Sequence, residues 1–328
     1  MASHSWSHRA TSISDEATIV QISQRLGEYK EMLDLRRRGR LPLLEFVRLM
    51  RPANIITAYA DIIAGYAAIG SAQPEKLLIL FASTTGLYAG GVVLNDVFDA
   101  KLDAIERPER PIPSGVVSLS AAIMFGGALL ACGIGLAWWS SSLSGEIALA
   151  IAMSAILYDA LGKHHALLGP LNMGLCRGLN LLLGLSAAWH PPVSKWSVAG
   201  VTLCYIAGIT SLSRGEVRGG TRAGAFMAAT WLAGSAAILI ALGVYRGHSA
   251  VFAIPFLLLL LFRIAGPLTR AFRSGDPMDI RRAVRAGVLS LIVVDSCITA
   301  LYAGPLYGVA VLLLYIPAAL LSRLFAVT

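Results

Sequence analysis

Ten apolar stretches run almost end to end through this chain, most of them close to the roughly 20 residues a helix needs to cross a bilayer. They lie near 43–69, 77–95, 118–139, 146–161, 171–189, 196–213, 223–244, 250–266, 286–303 and 306–325. The expected fold is therefore all-α, a polytopic membrane bundle of nine or ten transmembrane helices, with the partition of the last two stretches open. Hydrophobic residues make up 56% of the 328 and charged residues only 14%. No soluble domain of this length needs so much apolar surface.

The first 40 residues are polar and hold no apolar run like the core of a signal peptide, so no cleaved leader is expected. Residues 15–40 have helical apolar spacing, and Arg36, Arg37, Arg38 and Arg40 suit an interfacial helix resting on anionic lipid headgroups. The chain divides into a cytoplasmic N-terminal segment, 1–42, and a transmembrane domain, 43–328. With the N-terminus inside and alternate loops on opposite sides, 23 of the 27 Lys and Arg fall inside. Only Lys76, Lys195 and Arg246 fall outside, and Arg177 lies within a span. That asymmetry follows the positive-inside rule and puts both termini in the cytoplasm. The net charge of +8 describes a membrane surface, and nothing in the sequence suggests nucleic acid. The four cysteines (Cys132, Cys176, Cys204, Cys297) lie in apolar segments at no metal-like spacing and read as packing residues.

Acidic side chains are expensive at a membrane boundary, and the second stretch ends in a cluster of them, Asn95-Asp96-Val97-Phe98-Asp99-Ala100-Lys101-Leu102-Asp103. On a helix Asn95, Asp99 and Asp103 share one face, with Asp96 one step round. Such a column of hard oxygen donors fits a divalent cation bridging carboxylates to a phosphate. On the assigned topology Glu106, Arg107, Glu109 and Arg110 follow on the same side. So do Tyr158, Asp159, Lys163, His164 and His165 after the fourth span, and Arg214, Glu216, Arg218 and Arg222 after the sixth. With Arg48, Arg51 and Asn54 at the start of the first span, these loops converge on one cytoplasmic cavity if the helices form a bundle. Carboxylates would hold the metal, and Arg and Lys the phosphate oxygens. Arg222, Arg270, Arg273, Arg281 and Arg282 read instead as ordinary loop charge.

Within the fifth span Asn172, Arg177 and Asn180 occupy one broad sector, and an arginine inside a span is rarely idle, which favours a ligand contact over a buried structural pair. Gly174 and Gly178 in the same helix read as close helix packing. Asp61 lies two turns beyond Asn54 and faces the cavity or an interhelical partner. Asp295 reads as an interhelical hydrogen-bonding group, and His164 and His165 as loop residues.

The run NDVFDAKLDAIERPERPIPSG, Asn95 to Gly115, resembles the first aspartate-rich motif of the UbiA superfamily of intramembrane prenyltransferases. Arg51-Pro52-Ala53-Asn54 resembles that family's opening, and Tyr158 and Lys163 match the tyrosine and lysine of its next cytoplasmic loop. The stretch LYDALGKHHALLGPLNMGLCRGLN is similar to the EboC-type branch, found in bacterial gene clusters for export or processing of secondary metabolites. The resemblance implies a UbiA-like bundle in a bacterial inner membrane, with a lateral opening to lipid. Its implied chemistry is Mg2+-dependent transfer of an isoprenyl group from an allylic diphosphate to an aromatic or lipophilic acceptor within the membrane. The implied metal ligands are Asn95, Asp96, Asp99, Asp103 and Glu216, and the implied catalytic residues Asp96, Asp99, Tyr158 and Lys163. The implied substrate contacts are Arg51, Asn54, Asn95, Arg107, Arg110, Asn172, Arg177, Asn180, Arg214, Glu216 and Arg218.

One departure stands out. The family carries a second acidic motif after its sixth span, of the form D-x-x-x-D, and here the matching stretch is Ser211-Leu212-Ser213-Arg214-Gly215-Glu216-Val217-Arg218. A second metal site built on Glu216 alone is weak. Either Arg214 and Arg218 take the place of the second metal as diphosphate clamps, or the protein keeps isoprenoid or lipid binding without catalysis. A transporter would want inverted repeats and broken helices at midplane, and the polar groups cluster at one face instead.

Overall fold

The computed structural model describes residues 42–70, 73–163, 165–188, 191–217 and 219–325. The interfacial helix expected over 15–40, His164 and Arg218 lie outside the described residues. The helices are α1 (Pro42–Leu49), α2 (Pro52–Ile69), α3 (Pro74–Phe98), α4 (Ala100–Glu106), α5 (Leu119–Ser140) and α6 (Ser142–Leu157). A π-helical turn, Tyr158–Gly162, extends α6. They continue as α7 (Leu168–Leu185), α8 (Ala199–Ser213), α9 (Arg222–Arg246), α10 (Ile254–Ser274), α11 (Pro277–Ala303), α12 (Pro305–Leu312) and α13 (Tyr315–Leu324).

Among the described residues seven stretches are long and apolar enough to cross a membrane, and one of these, Arg222–Ser274, holds both α9 and α10. The 18-residue helices α2 and α7 carry buried Asp61 and Arg177, which lower their apolarity. Counting both gives ten crossings, the last of them interrupted between α12 and α13. The protein is an integral, multi-pass membrane bundle.

The first apolar stretch is not one helix. Pro52 disfavours an α-helical residue before it, and Arg51 takes the left-handed conformation, φ 49 and ψ 67. The chain therefore breaks between α1 and α2 and turns Arg51 toward the bundle. Helix α11 begins well before its apolar stretch. The Asp276 carboxylate caps α11 by accepting from the Met278 and Asp279 amides, and Pro277 fits the first helical turn.

Helix α7 packs between α2 and α8, while α11 packs on both α2 and α10. The α2–α7 crossing needs glycine: a Cβ on Gly65 would stand 2.0 Å from the Leu181 carbonyl oxygen, and one on Gly184 2.2 Å from that of Ile62. Gly174 likewise lets α7 approach α8, where a Cβ would meet the Leu203 oxygen at 2.3 Å. Helix α11 is buried almost continuously from Leu289 to Leu301. Phe226, Phe262 and Trp139, on α9, α10 and α5, face outward.

Side-chain contacts sort the helix ends into two faces. The three cations that the charge asymmetry puts outside gather at one end: Lys76 donates to Ala187 O at 3.3 Å and Lys195 to Ala68 O at 2.5 Å. Lys195 and Arg246 both lie over the Tyr302 ring. Cations at the carbonyl ends of helices are favourable, which explains why these three stand apart. At the opposite end Arg285 donates to Ser322 O at 2.8 Å and Arg214 to Lys163 O at 3.0 Å.

Candidate active site

A cavity of about 440 Å³ opens among α2, α3, α4, α6, α7, α8 and α11. Its outer end is lined by Arg51, Asn95, Asp99, Asp103, Glu106, Arg107, Arg110, Tyr158, Asp159 and Glu216. Behind them the walls turn apolar, with Leu87, Ile151, Met173, Ile206, Ile209 and Leu291. The far end is polar again, where Thr57, Thr84, Arg177 and Asn180 meet. Asn54 lines the cavity one turn from Thr57.

At the outer end acids and bases are joined in ion pairs, with Arg110 shared between two aspartates. Lys163 Nζ lies 2.5 Å from Asp99 Oδ1, and Arg110 Nη1 lies 2.6 Å from Asp103 Oδ2. Asp96 turns away from the cavity, as the helical step of about 100° per residue requires. It accepts instead from Arg51 Nη2 at 2.7 Å and Arg110 Nη1 at 3.2 Å. Asp96 is therefore not in the column that faces the site; it holds two guanidinium groups that are. Asn95 donates to Asp159 Oδ1 at 2.5 Å and ties α3 to the turn after α6. The helix is interrupted at Asp99, yet the amides of Asp99 and Asp103 still bond four residues back, so Asn95, Asp99 and Asp103 keep a common face.

Burial pushes the Asp103 carboxyl above the ordinary carboxylate range, and Arg110 pulls it partly back. Burial likewise raises Glu216, against the pull of Arg107 and Arg281. The Glu216 Oε1 oxygen is buried with no hydrogen-bond donor beside it among the described residues. Among the described residues no three carboxylate, His or Cys side chains converge closely enough to hold an ion by themselves. Oxygen donors line the cavity and one of them is orphaned. The set thus fits Mg2+ completed by phosphate oxygens, and not a metal held by protein alone.

Other expected positions differ. Arg214 Nη1 donates to the carbonyls of Lys163 and His165, and its side chain is exposed. It braces the loop after α6 instead of clamping a ligand in the cavity, because it sits at the C-terminal end of α8 where loop carbonyls are within reach. Asn172 faces Gly162 and lies off the cavity lining. Arg281, read as loop charge, donates from Nε to Glu216 O at 3.0 Å and holds that loop over the site. Its signal in the sequence was only a cation near the start of an apolar stretch, shared by its neighbours Arg282 and Arg285. Cys176, read as packing, lines the cavity.

Residues 54–272 match the UbiA prenyltransferase family, about two thirds of the chain. The chain belongs to the UbiA prenyltransferase family. One relative, the digeranylgeranylglyceryl phosphate synthase of Methanoregula boonei, is 34% identical over 158 residues, covering 48% of this chain. The match spans 57% of that relative's length. Among solved structures, a digeranylgeranylglyceryl phosphate synthase superposes with a TM-score of 0.61 at 19% identity, over 79% of this chain and 98% of the other. A UbiA homologue from Aeropyrum pernix gives 0.61 at 16% identity, over 81% and 98%. The UbiA architecture accordingly accounts for the helices that frame the cavity.

Proposed function

We propose that this UbiA protein transfers an isoprenyl group from an allylic diphosphate to a lipophilic acceptor inside the membrane. The observation that carries this reading is the cavity itself, with carboxylates and guanidinium groups at its outer end and an apolar channel behind them. Family membership supports the same reaction class. Asn95, Asp99 and Asp103 on one wall and Glu216 on the other would hold Mg2+. The ion supplies positive charge to offset the charge that develops on the leaving diphosphate.

The protein's own groups do the rest. Arg51, Arg107 and Arg110 meet phosphate oxygens with planar, permanently charged donors. Asp96 aims Arg51 and Arg110, and Lys163, paired with Asp99, would add a further cation beside them. The bond between C1 of the allyl group and the diphosphate oxygen breaks, and its electron pair leaves with the diphosphate. A nucleophilic carbon or oxygen of the acceptor then bonds to C1 and gives up a proton, which the departing diphosphate can accept. The apolar walls exclude water that would otherwise trap the cation, and the Tyr158 ring and hydroxyl stand at the boundary between the two environments.

We assign the cavity mouth to the cytoplasmic side of a bacterial inner membrane, on the strength of the charge asymmetry. The similarity to the EboC-type branch leaves a second reading, isoprenoid binding without transfer. It draws on a single feature: Glu216 is the one acid among the described residues of the second motif, 211–217. The deciding experiment incubates the purified protein with Mg2+, geranylgeranyl or farnesyl diphosphate and a membrane lipid extract. Diphosphate release with a new prenylated lipid supports transfer. Tight donor binding with no release from any allylic diphosphate supports the binding-only reading.

A further inference from the structure

Arg177 stands far from the groups that face the cavity mouth. Its Nη2 donates to Thr57 Oγ1 at 3.0 Å, and its guanidinium lies 5.4 Å from the centre of the Tyr88 ring. Along the helices, Thr57 is six residues from Arg51 and Tyr88 eleven from Asp99, about 9 and 16 Å at the helical rise. Arg177 therefore sits deeper in the cavity than Asp99, Asp103 and Arg110.

The surrounding polar groups are only partly satisfied: Asp61 Oδ1 and both Asp295 carboxyl oxygens are buried without a hydrogen-bond partner among the described residues. Asn180 Nδ2 donates to Asp61 Oδ2 at 2.9 Å and Ala58 O at 3.0 Å, and Thr84 Oγ1 donates to Asn180 Oδ1 at 2.5 Å. Thr57 Oγ1 donates onward to Asn54 O. Arg177 is 95% buried, and its Nη1 meets no acceptor among the described residues. A buried, unsatisfied arginine donor is costly, and the Arg177 side chain lines the far end of the cavity.

The charge count says what would satisfy it. Arg177 Nε lies 3.1 Å from Asp61 Oδ2, and a second buried carboxyl, Asp295, neighbours Asp61. One guanidinium already paired with one carboxylate leaves no net positive charge to draw in another anion. What remains at this end of the cavity is a polar patch of Arg177, Thr57, Thr84 and Asn180 with no charge to spare.

We propose that Arg177, framed by Thr57, Thr84 and Asn180, is the acceptor subsite, and that it takes a neutral oxygen, a hydroxyl or carbonyl, in preference to a carboxylate or phosphate. The assignment rests on the prenyl-transfer reading and names the chemistry of its second substrate.

The test measures equilibrium binding of two matched probes, 4-decylphenol and 4-decylbenzoate, to the full-length protein in nanodiscs. Arg177→Met alone would leave Asp61 uncompensated, so the informative variant is Arg177→Met with Asp61→Asn, which removes the charges as a pair. Geranylgeranyl diphosphate binding with Mg2+ runs in parallel on both proteins. The wild type should bind the phenol at least about tenfold more tightly than the benzoate, and the double variant should lose about ten- to hundredfold in phenol affinity. Its donor affinity should stay close to that of the wild type. Tighter binding of the benzoate, phenol affinity unchanged in the double variant, no phenol binding by the wild type, or an equal loss of donor binding in the variant would each overturn the proposal. Failure of the wild type to bind the diphosphate while the phenol contrast holds would sink the prenyl-transfer reading instead.

Discussion

The ion pairs at the cavity mouth separate two roles for neighbouring aspartates, and Asp99→Asn and Asp96→Asn should behave oppositely. Asp99 lines the cavity and holds Lys163 at 2.5 Å, with side chains 22% and 13% exposed respectively. Both are mostly shielded, so the pair counts as a charge-assisted hydrogen bond of about 1.5–3 kcal/mol. Asp99→Asn removes a metal ligand and releases the lysine in one change. Without Mg2+ the freed ammonium is available to a phosphate oxygen, and donor affinity should rise. With saturating Mg2+ a ligand is missing, and donor affinity should fall. The gain in affinity brought by Mg2+ should therefore shrink by about tenfold or more, since each 1.4 kcal/mol is a factor of ten. Asp96→Asn should leave that gain within about threefold, because Asp96 points away from the cavity and an asparagine oxygen still accepts from Arg51 and Arg110. The assay is equilibrium binding of labelled geranylgeranyl diphosphate with saturating Mg2+ and with EDTA. An Asp99→Asn protein with the wild-type Mg2+ response, or an Asp96→Asn protein that has lost it, would refute the division of roles.

Three further expectations follow from packing, burial and topology. Gly65→Ala should lower the thermal unfolding midpoint in detergent, because overpacking costs about 1–3 kcal/mol and the new methyl would meet a carbonyl oxygen at 2.0 Å. Gly127→Ala, with nothing within 4 Å of its new methyl, should hold or raise that midpoint, and equal effects at the two sites would contradict the assigned crossing. Glu216 is raised above its ordinary value of 4.5 by burial, so its contribution is fully present at low pH and is lost as pH rises through the folded-state value. Glu216→Gln should accordingly gain stability relative to wild type as pH rises above 4.5, and a gap that narrows with pH would reverse the assignment. A cysteine placed at Glu109 should resist an impermeant thiol reagent applied outside intact cells, and ready labelling there would invert the topology.

Much of the architecture was legible because lipid leaves a chain few choices. Apolar stretches of bilayer length must be helices, and their loop charges orient them. The stretches at 77–95 and 223–244 sit inside α3 and α9, and 118–139 matches α5 apart from Ser118, which is its N-cap. The first stretch failed locally, since hydropathy runs unbroken across Arg51 while Pro52 forces a backbone that hydropathy does not register. The last stretch, 306–325, was one span by hydropathy and is two short helices in the fold.

The site was legible where chemistry and helical period coincide, and lost where contact is made across helices. Asn95, Asp99 and Asp103 share a face by spacing alone. Asp96 belongs to the same motif but lies on another face, and only its position against Arg51, 45 residues earlier in sequence, shows what it does. Arg214 and Arg281 were misjudged for a complementary reason. Both are cations at a span boundary, so charge alone ranks them together; loop carbonyls draw Arg214 away from the cavity, while Arg281 reaches the backbone of Glu216 from a helix 65 residues later. Arg177 was singled out by its cost, since a guanidinium inside a span has to be compensated. Its compensation is incomplete: Asp61 and Thr57 approach two of its nitrogens, and Nη1 is buried without a partner among the described residues. A membrane interior is the environment in which an unspent donor is most costly, so an acceptor there gains more than the same contact would give at the surface.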